Sequence, residues 1–160
     1  MKFKTLTLQS SQGTFQEIVT DVGVAAAVED LQVGAMPQMT YWTTCLWDTG
    51  GTHSSITKKT AEILGLAPIG EARVVYGNGV AMTKTYLVSL VLPDLLFLPR
   101  LQVTESDTDE GFGVILGMDV ICRGDLAITN VDGVSTFSFC VPSLERIDFA
   151  ERIRGLGDVE

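Results

Sequence analysis

The segment Leu46-Trp47-Asp48-Thr49-Gly50-Gly51-Thr52-His53 sets a carboxylate directly after two large apolar residues and follows it with a hydroxyl residue and two glycines. A carboxylate in an apolar setting is costly unless it is hydrogen-bonded or shares its site with a proton. A carboxyl group that shares a proton can act as an acid or as a base. The glycines suit such a role, because backbone can come close to the carboxylate and offer it N–H groups. The same residue types also make an ordinary surface turn. Asp48-Thr49-Gly50 alone leaves both readings open.

Other chemistries are poorly supplied. The chain has one histidine, His53, so a His-based metal cluster or a Ser-His-Asp triad would have to be built around it alone. Cys45, Cys122 and Cys140 lie far apart in apolar surroundings, odd in number and without Cys-x-x-Cys spacing. That pattern points to buried thiols in a reducing compartment, not to a disulfide frame or a zinc site. No metal or other cofactor is expected. Arg123-Gly124-Asp125 is an RGD tripeptide at an expected helix end and is read as chance.

The elements that must position Asp48 are mostly strands. Leu6 and Leu8 alternate with polar neighbours, Thr14 to Val28 is rich in strand formers, and Met39 to Trp47 is a further strand that ends at the Asp48 loop. Thr57 to Gly65 reads as a short helix with Thr57 as N-cap and Gly65 past its end. Val74 to Leu92 reads as two strands around Gly77-Asn78-Gly79, since Asn-Gly favours a tight hairpin turn. Leu95 to Val103 continues the strand pattern, and Glu105 to Gly111 is an acidic connection. Ile115-Leu116-Gly117 is a short apolar run before a helical turn over Met118 to Arg123. Leu126 to Cys140 is a hairpin around Asp132-Gly133 with Phe137 and Phe139 on one face. The apolar spacing of Leu144, Ile147, Ala150 and Ile153 is helical, with Ser143 placed to cap it.

Bulk properties narrow the classes. With 160 residues and 46% hydrophobic composition the chain can bury a real core as one domain. A net charge of -9 argues against nucleic acid, whose binding needs a basic face, and slightly favours a cationic peptide. Val22 to Val28, bracketed by Asp21 and Glu29, is far too short to span a bilayer, so no membrane partner is expected. The opening residues MKFKTLTLQSSQ lack the apolar run of a signal peptide, and a soluble cytoplasmic protein is the expectation.

Three features follow one another: Asp-Thr-Gly after an apolar strand, a glycine-tipped hairpin, and an apolar-apolar-Gly run. In that order, DTGGTHSSIT (48–57) and VILGMDVICRGD (114–125) resemble the retropepsin-like aspartic proteases, single-domain relatives of pepsin found in retroviruses, retroelements and some cellular genomes. The likeness covers roughly Met39 to Phe139 and leaves the N-terminal strands and the C-terminal helix as additions. It implies a mostly β chain, 1–160 as one domain, folded as a small closed barrel with a few short helices, one of them C-terminal.

The resemblance also implies an activity, aspartic endopeptidase, with a peptide or protein as substrate. That chemistry needs two carboxyl groups sharing one proton at ~3 Å, so that one is base and the other acid. No second Asp-Ser/Thr-Gly exists in the sequence. A homodimer with one Asp48 from each copy on the two-fold would supply the pair. Asp48, Thr49 and Gly50 are then the catalytic set, with the Thr49 hydroxyl bonding the opposite loop. Gly51, Tyr76, Gly77, Asn78 and Gly79 would contact substrate, the last four as a flap. Gly51 departs from the family, which usually has Ala, Ser or Thr there. Two alternatives remain: a non-catalytic dimeric module that keeps the fold and binds peptides, and a structural barrel with a chance Asp-Thr-Gly.

Overall fold

A computed structural model describes residues 2–29, 36–76, 79–107 and 111–155. The alternation of Leu6 with polar neighbours produces β1 (Lys4–Gln9), in which Leu6 is buried. The strand-rich stretch after Thr14 yields one strand, β2 (Val19–Ala26), with Val22 and Val24 buried. β3 (Tyr41–Trp47) runs antiparallel to β2 and delivers the chain to Asp48. A short β4 (Ser55–Thr57) then leads into α1 (Lys58–Ile63). Its cap is the expected one, because Thr57 Oγ1 accepts the Thr60 N–H. Gly65, just past the helix, takes a φ of +58 that suits glycine.

β5 (Gly70–Tyr76) and β6 (Gly79–Leu92) form a long hairpin, and β7 (Leu96–Ser106) returns along β6. β8 (Val114–Leu116) lies parallel to β3 and antiparallel to β4. The strand order β2-β3-β8-β4-β7-β6 closes on itself because β6 also pairs with β2, from Gly23↔Val91 to Ala26↔Val88. The result is a six-stranded closed barrel, with β5 standing outside the ring on β6. Ile56, Val88, Leu90, Val103, Val114 and Leu116 of its strands are buried in the core. A bulge at Ser89 shifts the β6–β7 register, and the buried Ser89 hydroxyl satisfies the Val28 N–H at 3.0 Å.

α2 (Met118–Ile121) is a single turn after β8. β9 (Asp125–Val131) and β10 (Val134–Val141) make the expected hairpin, with positive φ at both Asp132 and Gly133. β10 pairs with β1 as well, giving a separate sheet of order β1-β10-β9. Phe137 and Phe139 on its inner face meet Trp47, both at 4.9 Å between ring centroids, so the sheet packs directly under the end of β3. The last described element is α3 (Phe149–Gly155). Among the described residues no helix is long and apolar enough to cross a membrane.

Three sequence expectations need correction. Tyr76 pairs with Gly79, so Gly79 opens β6 instead of standing in the turn; Gly77 and Asn78 lie outside the described residues. The terminal helix begins at Phe149, because Ser143 is drawn to the Asp125 carboxylate and Asp148 receives the Glu151 N–H in its place. Cys122, at the end of α2, is exposed, whereas Cys45 is buried and Cys140 half-buried.

Candidate active site

Asp48 is the first residue beyond β3. Its N–H donates to Leu116 O at 2.9 Å, and the preceding Trp47 N–H donates to Ile18 O at 2.9 Å, so the backbone entering the loop is fixed on both sides. The loop then folds back on the carboxylate. The Gly50 N–H donates to Asp48 Oδ1 at 2.9 Å and the Gly51 N–H to Asp48 O at 3.2 Å. A Cβ on Gly50 would lie 3.2 Å from Oδ1, and one on Gly51 3.0 Å from Oδ2. Both carboxylate oxygens are thus flanked by backbone that carries no side chain. Asp48 is half-buried, less enclosed than its apolar lead-in implied, while Thr49, Gly50 and His53 are exposed.

The far side of the loop is held by β8 and α2. The Met118 N–H donates to Gly51 O at 2.8 Å and the Asp119 N–H to Thr52 O at 3.2 Å. Gly117 fits tightly between, since a Cβ there would sit 2.7 Å from the His53 carbonyl carbon and 2.9 Å from Gly51 O. Beneath it Ser54 is fully buried. Its N–H and hydroxyl donate to the Asp119 carboxylate at 3.1 and 2.7 Å, and its oxygen accepts the Gly117 N–H at 3.0 Å. Asp119 also accepts its own neighbour's N–H, from Val120, at 3.0 Å. The sequence alone assigned no role to Ser54 or Asp119. Each stands in a quoted motif, but only barrel closure brings them together.

The structure therefore gathers Asp48, Thr49, Gly50 and Gly51 in one loop. The hairpin expected as a flap is a separate element, in which β5 pairs with β6 alone among the described residues. Gly79 has a φ of +155, a conformation that L side chains rarely adopt. Val75, Val80 and Met82 are exposed on one side of this hairpin. A cleft of about 360 Å³ opens elsewhere, between Tyr41 and Thr43 of β3, Lys58 and Thr60 of α1, and Phe112; Asp48 does not line it.

Three ionisable groups with shifted behaviour lie outside this loop. Burial pushes the Cys45 thiol up to about 11, which leaves it an inert core group whose Sγ lies 3.1 Å from Thr20 Oγ1. Burial, with a hydrogen bond to Glu105, pushes Tyr86 up to about 12. The Ser143 hydroxyl, followed by the Glu145 and Leu144 N–H groups, holds Asp125 below the usual carboxylate range. Asp125 is thereby engaged within its own chain. Among the described residues no cluster of His, Cys, Asp and Glu is assembled that could hold a metal ion.

The chain is mostly β, a closed six-stranded barrel with few helices, one of them C-terminal, and its fold is of the retropepsin-like type. Among solved structures the chain is similar to the crystal structure of a retropepsin-like aspartic protease from Rickettsia conorii, with a TM-score of 0.50 over 88% of this chain and 97% of that one. The two share 11% sequence identity, so the likeness speaks for the fold alone. No protein-family model matches the chain. No curated protein matches it by sequence.

Proposed function

We propose that the chain is an aspartic endopeptidase that works as a two-fold homodimer, with residues 1–160 read as one domain. Each copy contributes Asp48, and the two carboxyl groups share one proton. The ionised carboxylate takes a proton from water as the water oxygen attacks the peptide carbonyl carbon. The protonated carboxyl polarises the carbonyl oxygen, and a proton then passes to the leaving nitrogen as the C–N bond breaks. Thr49 ties the two loops together, and Gly50 and Gly51 let substrate backbone approach. The hairpin with Tyr76, Gly77, Asn78 and Gly79 closes over an extended peptide, to which it offers backbone groups.

The observation that supports this reading most directly is the setting of Asp48: a carboxyl at a barrel strand's end, bonded by the Gly50 N–H and flanked at both oxygens by glycine. A purely structural turn has no need of such clearance on both oxygens. The test is Asp48→Asn assayed against a diverse peptide library. Hydrolysis should fall by several orders of magnitude with the fold unchanged. Cleavage at the parent rate sinks the assignment; no cleavage by either protein, with dimers intact, favours the peptide-binding module.

A further inference from the structure

Residues 143–155 present apolar side chains that α3 leaves uncovered, since none of its residues is buried. Leu144, Phe149 and Ile153 are 64%, 63% and 64% exposed, and Ile147 is 38% exposed. Yet this arm is braced. At its root the Asp125 carboxylate accepts the Ser143 hydroxyl at 2.5 Å and the Leu144 and Glu145 N–H groups at 2.5 and 3.0 Å. Along it, Arg152 pairs with Glu145 at 3.0 Å and lies 5.9 Å over the Phe149 ring. Phe149 and Ile153 are one turn apart and share a helix face.

We infer that this arm clasps two copies together, the Leu144–Ile153 surface of one packing against the same surface of the other. The inference rests on the dimeric reading above. Three observations favour a second copy as the occupant. The sequence holds no second Asp-Ser/Thr-Gly that could complete a carboxyl pair with Asp48 within one chain. The arm's root adjoins that site: Asp125 follows α2, whose N–H groups hold Gly51 and Thr52, and Trp47 beside Asp48 packs on β10, the partner of β9. A two-fold that joins the loops therefore carries the arm roots with it. Finally, the four side chains expose on the order of 400 Å² per chain, as large as the main patch of a typical monomer and a sizeable share of what a stable dimer buries.

A lipid surface fits less well. Glu145, Asp148 and Glu151 balance Arg146, Arg152 and Arg154, and the whole chain carries -9, so nothing draws the arm to anionic headgroups. Charge also gives the clasp a signature. Two copies at -9 repel each other, and salt screens that repulsion while leaving apolar contact in place. The dimer should tighten as ionic strength rises.

The experiment is sedimentation velocity on the full chain and on two double variants, Phe149→Asp with Ile153→Asp and Leu144→Asp with Ile147→Asp. Each is run at low and high salt with peptide hydrolysis measured on the same samples. The parent should dimerise more tightly at high salt, and each variant should raise the dissociation constant at least a hundredfold with unchanged far-UV circular dichroism. Parent-like dimerisation by both variants, or a parent that stays monomeric, overturns the clasp. So does capture of the parent on phosphatidylcholine/phosphatidylserine vesicles that either variant abolishes. A parent dimer without hydrolysis leaves the clasp standing and removes the peptidase reading. Parent-level hydrolysis by both variants at low concentration does the reverse.

Discussion

At the scale of single residues, the loop that presents Asp48 is held from below by one buried exchange. Ser54 and Asp119 are 65 positions apart, and their hydrogen bonds join the end of the loop to the turn that follows β8. Removing the carboxylate leaves the buried Ser54 hydroxyl and N–H without this acceptor, and stranded polar groups of this kind cost ~1–3 kcal/mol. Asp119→Ala should therefore lower stability by about 2 kcal/mol in urea melts. It should also reduce hydrolysis beyond what the loss of folded protein explains, because Gly51 and Thr52 are anchored by the same turn. An unchanged rate per folded molecule would make Asp119 a stability residue only. Asp48, Thr49 and Gly50 were legible in the sequence because their identities carry the signal locally. Ser54 and Asp119 were not, since a serine and an aspartate acquire this role only when distant strands meet.

At the scale of elements, alternation and turn chemistry revealed most strands. Leu6 in β1, the Asp132-Gly133 turn and the Thr57 cap fell where elementary propensities place them. Register and helix starts were less legible. Gly79 pairs with Tyr76, and α3 starts six residues later than Ser143, because a competing partner, Asp125, takes the Ser143 hydroxyl. That competition has a measurable pH signature. Hydrogen bonding in the folded chain holds Asp125 below its ordinary value. A carboxylate lowered on folding contributes stability that is complete above its unfolded pKa, about 3.9, and is lost as pH falls through the folded one. The arm should stay rooted throughout the weakly acidic and neutral range and loosen only in strong acid. The Leu144 and Glu145 amide resonances should report this, titrating together with a midpoint below about 3.9. A midpoint at or above that value would show that the root is not held by the ionised carboxylate.

At the scale of the whole molecule, the proposed reaction asks each chain for one carboxyl, Asp48, and its partner for the other. If two Asp48 carboxyls must meet, an inactive chain should poison an active one. Asp48→Asn keeps the size and shape of the residue, and the carbonyl of its amide can still accept the Gly50 N–H that Oδ1 receives in the parent. The variant should fold, dimerise and exchange with parent chains. A mixed dimer then holds one carboxyl and cannot split its roles between acid and base. With equal amounts of both chains and free exchange, about one quarter of the dimers are wholly parental, so the parent's hydrolysis should fall to about one half of its value with an inert protein added instead. A tenfold excess of variant should leave about a tenth. Mixed samples should be incubated until the rate is constant, so that slow exchange is not mistaken for independence. If the rate then follows the amount of parent alone, each chain hydrolyses peptide without its partner. The second carboxyl must in that case come from within the chain, and the two-fold arrangement of Asp48 is wrong.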